Sequence, residues 1–152
     1  MKQLLLSFAL MLAASMMSAQ IQHQIFGVHL GTKQQTAMET WTEKGVELEQ
    51  SSHFKDLYRI VSTDKGDRTN PAQTEVIFLH HRLFSVRYTY PRDHYSTICD
   101  LIRITYTPYF KFDDEGYKGY YDPQTRQFIN IGCDDEHTYL TYGVNMSAEN
   151  NE

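Results

Sequence analysis

The apolar positions of this chain fall into short runs whose period changes along its length. Leu4–Ala14 is an unbroken apolar stretch behind Lys2, followed by small residues up to Ala19. From Gly31 the pattern turns helical. Ala37, Met38 and Trp41 make one narrow apolar stripe, Thr32 and Gln35 have the spacing of a capping box, and Gly45 is placed to close the helix in a left-handed conformation. A helix over Lys33–Lys44 is predicted. Val46, Leu48 and Gln50 then alternate with acidic residues as on a strand, and Phe54–Ser62 reads as a second strand. Asp64–Gln73 has loop chemistry, with Lys65-Gly66-Asp67 and Asn70-Pro71. Thr74–Leu79 and Leu83–Tyr90 flank His80-His81-Arg82, the pattern of a β-hairpin with a short polar turn.

The middle of the chain carries two periods at once. Tyr95, Ile98, Cys99, Ile102 and Tyr106 recur at helical spacing, whereas Ile102, Ile104 and Tyr106 alternate as on a strand. Pro91 before this stretch and Thr107-Pro108 after it favour a helix over Pro91–Tyr106, against an Ile and Thr content that suits a strand. Strand patterns return at Tyr117–Tyr121, Gln127–Ile131 and Thr138–Tyr142. They are separated by Asp122-Pro123-Gln124 and by Cys133-Asp134-Asp135-Glu136. The expectation is an α+β domain, with two helices packed on one face of an antiparallel sheet of six or seven strands. Residues 20–145 form this single domain, and 146–152 form a polar tail.

Several of these segments resemble known proteins. Phe26-Gly27-Val28-His29-Leu30-Gly31-Thr32, leading into a helix that ends at Lys44-Gly45, resembles the opening of small exported Gram-negative envelope proteins. The pair Val76-Ile77-Phe78-Leu79 and Leu83-Phe84-Ser85-Val86 is similar to a strand pair of theirs. So is the close, Phe128-Ile129-Asn130-Ile131 with Tyr139-Leu140-Thr141-Tyr142. The helix-plus-meander unit resembles the architecture of β-lactamase-inhibitor-protein-like domains and of small outer-membrane-assembly lipoproteins. That resemblance implies protein binding and brings no catalytic set with it. The chain departs from the lipoproteins in having no Cys after its apolar leader.

Composition narrows the function classes. A short basic start, an apolar core of the right length and Ala19 before Gln20 read as a signal peptide over 1–19, with a cut after Ser15 as the fallback. The protein is therefore expected to be exported, periplasmic or secreted, with no transmembrane segment after the leader is removed. Lys and Arg number 14 against 19 Asp and Glu, a net charge of −5. This balance leaves no basic footprint for a nucleic-acid backbone. Two cysteines in an exported chain predict one disulfide, Cys99–Cys133, with two separate buried thiols as the alternative.

Candidate chemistry is sparse. His80-His81 are adjacent residues in a turn and do not converge as metal ligands do, and Asp113-Asp114-Glu115-Gly116 lacks the ligand alternation of a calcium loop. No metal or cofactor is expected. The surplus is tyrosine, 11 in all, with Tyr109, Tyr117, Tyr120 and Tyr121 close together. Adjacent Tyr120 and Tyr121 on one strand must point to opposite faces, so one ring is available to a partner. The expected function is a non-catalytic module that binds an unidentified protein in the envelope or outside the cell, for instance as an inhibitor or immunity protein. Its contact residues would be Tyr109, Tyr117, Tyr120 and Tyr121. The alternative is a small carboxylate-dependent hydrolase or carbohydrate-active protein, which would need a deep pocket holding two acidic side chains.

Overall fold

Residues Gln34–Glu43 form helix α1. Its start differs from the expected capping box: Lys33 is the N-cap residue and no side chain bonds the first turn. The backbone of the hairpin does that work instead. Gln34 N–H donates to His81 O at 2.8 Å, Gly31 N–H to Leu83 O at 2.7 Å, and Leu83 N–H to Thr32 O at 2.9 Å. The C-terminus closes as the sequence predicts. Gly45 has φ +73°, its N–H donates to Thr42 O, and Val46 N–H donates to Trp41 O, the two bonds of a Schellman motif. Ala37 and Trp41 are wholly buried, and the Trp41 indole N–H donates to Ile25 O at 3.0 Å.

This computed structural model describes residues 19–61 and 71–146. The leader up to residue 18, most of the loop expected over 64–73 and the tail beyond Met146 lie outside the described residues. A two-stranded ribbon, β1 (Gln24–Ile25) and β2 (Val28–His29), precedes α1. After α1 come β3 (Leu48–Gln50), β4 (Leu57–Ile60), β5 (Gln73–Leu79) and β6 (Arg82–Pro91). A 3₁₀ turn, Arg92–His94, leads into α2 (Tyr95–Tyr106), and a second, Thr107–Tyr109, leads out of it. The chain ends in β7 (Phe110–Asp114), β8 (Tyr117–Asp122), β9 (Gln127–Cys133) and β10 (His137–Val144).

The eight later strands form one antiparallel sheet in the order β3-β4-β5-β6-β10-β9-β8-β7. That order reads alike from either edge. Each half is a helix followed by a four-strand meander, and the last strands of the two meanders, β6 and β10, pair at the centre with Tyr88 opposite Leu140. The α+β class and the two helices are as the sequence predicts, but the sheet has eight strands rather than six or seven. The additional strand is β7, exposed along its whole length and held only through its ladder to β8, so it carries no burial pattern to read. The ambiguous segment is a helix: Ile98, Cys99 and Ile102 are buried along one side, while Leu101 and Ile104 are 60% and 73% exposed.

Both helices lie on the same sheet face. Trp41 and Ala37 of α1 pack with Val76, Phe78, Leu83 and Val86 in one core. Ile98, Cys99 and Ile102 of α2 pack with Tyr120, Ile129, Ile131 and Leu140 in the other. Tyr88 and Tyr142 border both cores. The segment before β1 runs across this seam. Ile21 is fully buried in the second core and its N–H donates to the buried Asp122 carboxylate at 3.0 Å. His23 N–H donates to Gln127 Oε1 at 2.8 Å, and its ring stacks on Tyr142 at 3.9 Å and bonds the Tyr88 hydroxyl at 2.7 Å. Burial lowers the His23 pKa to about 4. Among the described residues, core burial thus reaches back to Ile21.

Candidate functional site

With both helices on one face, the strand register dictates what the other face presents. Its half on β3–β6 is a ladder of alternating charge, Glu49, Arg59, Glu75 and Arg87, each opposite the next across neighbouring strands. Arg59 pairs with Glu49, and Arg87 donates twice to Glu75, at 3.1 and 2.7 Å. The half on β7–β10 is aromatic. Phe112 lies opposite Gly119, Phe128 opposite Gly143 and the Tyr117 ring against Gly132, in each case with the ring laid where a Cβ on the glycine would have to sit. A glycine without a Cβ is what lets an aromatic ring lie flat on the neighbouring strand. Phe112 and Tyr117 stack with their centroids 5.9 Å apart, and Phe84 on β6 packs against Phe128 at 6.1 Å. Phe112 and Tyr117 remain 43% and 47% exposed.

A cleft of about 230 Å³ opens within this face, lined by Arg87, Tyr117, Asn130, Gly132, Cys133, Tyr139 and Thr141. Tyr139 is held from two sides. The Arg87 guanidinium lies over its ring at 5.2 Å, and its hydroxyl donates to Asp134 at 2.6 Å. Asp134 also accepts the N–H groups of Glu136 and His137, at 2.9 and 2.6 Å. The Tyr139 hydroxyl first, then these two backbone donors, pull the Asp134 pKa down to about 2. Asp134-Asp135-Glu136 is therefore the hairpin turn that the sequence predicts, with its first carboxylate orienting a cleft residue. A second cleft, about 240 Å³, is lined by Gly31, Arg82, Thr125, Arg126, Val144, Asn145 and Met146. Neither cleft is lined by Asp or Glu.

The four tyrosines singled out in the sequence separate. Tyr117 and Tyr121 lie on the face opposite the helices. Tyr120 is 3% exposed in the second core, because the two-residue period of β8 turns it under α2. Tyr109 packs against that same core. Tyr120 and Tyr109 are thus packing residues as they stand, and their place on the surface is taken by Phe112, Phe128 and Tyr139. Those three could have been found from the sequence by asking which aromatics fall opposite Gly119, Gly143 and Gly132 once the hairpin registers are set.

The expected disulfide is absent: Cys99 and Cys133 are both free thiols. A hydrogen bond from the Tyr95 hydroxyl to Gly116 O, 2.8 Å long, occupies the region they share. Cys133 Sγ faces the same Gly116 carbonyl at 4.0 Å, while Cys99 lies beside the Tyr95 hydroxyl. Burial pushes the Cys99 thiol pKa up, which disfavours its nucleophilic form. His80 and His81, with φ 49° and 58°, are the two central residues of the β5–β6 turn and are exposed. Among the described residues, no group of three or more His, Cys, Asp or Glu is disposed to hold a metal ion, and no helix is long and apolar enough to cross a membrane.

Comparison of the chain with protein-family models, with curated proteins and with solved structures found no match in any of the three. The fold and the site define a class by themselves: an α+β domain with one helix-covered sheet face and one aromatic-paved face that is uncovered among the described residues.

Proposed function

We propose that the protein is an exported, non-catalytic binding module whose uncovered sheet face recognises another protein in the envelope or outside the cell. One observation carries the reading. Phe112, Tyr117, Tyr121, Phe128 and Tyr139 share a face that no described element covers, and glycines lay three of these rings flat along it. Rigid aromatic side chains supply large contact area at small entropic cost, which is why they anchor protein interfaces. The charge ladder beside them is polar and self-paired, the composition of an interface rim. The shallow clefts without acidic lining favour this reading over a hydrolase built on paired carboxylates. The resemblance to inhibitor-type domains is in keeping with it.

The test is site-specific photo-crosslinking in the native envelope. A crosslinker at Tyr121 should give a discrete adduct with one protein, and one at Leu101 on the outer side of α2 should not. With that partner, Tyr121→Ala should weaken binding by about 2 kcal/mol or more, roughly 30-fold, without loss of folding. Equal labelling from both faces, or none from Tyr121, would overturn the reading.

A further inference from the structure

We infer that the Tyr117–Tyr139 cleft is the anchor pocket of this face and that it receives a lysine or arginine side chain of the partner protein. The inference rests on the reading of the aromatic face as an interface. At about 230 Å³ the cleft is smaller than the pockets that enclose drug-sized ligands, and it suits a single side chain. Two of its walls are tyrosine rings, whose faces attract cations. Tyr139 already shows this property, with the Arg87 guanidinium 5.2 Å from its ring centre. Arg87 itself contributes little net charge, because Glu75 accepts both of its bonds.

The surroundings of the cleft decide the sign of the occupant. Asp114 lies directly across from Tyr117 on the same face, and the turns at this end of the sheet bring Glu115, Asp134, Asp135 and Glu136 around the rim, all exposed. The basic groups at this end are fewer or engaged: Lys118 pairs with Asp113, and Arg92 lies over the Tyr95 ring at 5.0 Å, leaving Lys111 with His94 and His137. A partner carboxylate would meet this acidic rim. An apolar side chain would strip water from the Asn130 amide and Thr141 hydroxyl without replacing its hydrogen bonds. A cationic side chain satisfies all three elements: rings, rim and free oxygen acceptors.

Nuclear magnetic resonance titration of the isotopically labelled mature protein tests this with two small probes, N-acetyl-arginine amide and N-acetyl-glutamate amide. The arginine probe should give saturable shifts at Tyr117, Gly132, Tyr139 and Thr141, weakening as salt is raised. Asp114→Asn, a change at an exposed position, and Tyr117→Leu should each weaken it by about three-fold or more, the order of a cation–π or exposed charge contact. No saturable shift at the cleft, or equal binding of the glutamate probe, overturns the proposal. A partner that crosslinks to Tyr121 while the arginine probe ignores the cleft removes only the cationic anchor. Absence of any adduct at Tyr121 removes the interface on which it rests.

Discussion

Two adjacent tyrosines show how much a single position can differ from its neighbour. Tyr120 is under α2 in the second core, and Tyr121 is half-buried on the opposite face. Tyr120→Ala should therefore cost about 3 kcal/mol or more in unfolding free energy, as large aromatic deletions do in packed cores. Tyr121→Ala should cost below about 1 kcal/mol, and urea unfolding of the two variants side by side checks the difference. Trp41→Ala belongs with Tyr120, at about 3–5 kcal/mol, because the indole is wholly buried and its N–H is bonded to Ile25 O. Alternation along β8 requires that the two tyrosines face apart. Which of them faces inward depends on the position of α2, and the sequence contains no statement of that.

The β5–β6 hairpin illustrates the same division at the scale of elements. Its apolar runs and polar break were plain in the sequence, and the strands appear within about a residue or two of their expected bounds. The turn is less ordinary than its composition suggests, since His80 and His81 both hold positive φ, a conformation that costs L-residues about 1–2 kcal/mol. Asn-Gly is the pair that such a two-residue turn favours. The double variant His80→Asn, His81→Gly should stabilise the protein by about 1 kcal/mol or more. Thermal unfolding measures it, and an unchanged or lowered midpoint would show that the histidine side chains contribute more than turn geometry. The edge strand β7 is the opposite case. Its residues are all exposed and its Lys and Asp residues break any alternation, so only its ladder to β8 makes it a strand.

For the whole molecule, the two cores meet at Tyr88 and Tyr142, and His23 binds them together. A histidine with pKa about 4 when folded returns to about 6.5 when the chain unfolds. Between those values the unfolded chain binds the extra proton, so stability present above about pH 6.5 is lost as pH falls toward 4 and levels off below it. The loss should reach about 3 kcal/mol at most. Urea midpoints should fall across this window, and His23→Gln, which cannot titrate, should flatten the dependence. A slope unchanged in that variant would place the titrating group elsewhere.

What depends on neighbours along the chain was legible in the residues alone: the period of each run, the helix end at Gly45, the hairpin at His80-His81, and the helical reading of Tyr95–Tyr106. These are local because backbone dihedrals, turn chemistry and side-chain direction are settled within a few residues. The rest follows from the assembled fold. It set the eight-strand order with β6 against β10, the seam crossed by Ile21 and His23, the unbonded state of the two thiols, and the laying of Phe112, Tyr117 and Phe128 over glycines of other strands. Each of these depends on residues far apart in sequence, whose relative placement follows from register and from which face the helices cover. Tyrosine content alone pointed to a surface, but only the assembled sheet decided which rings belong to it.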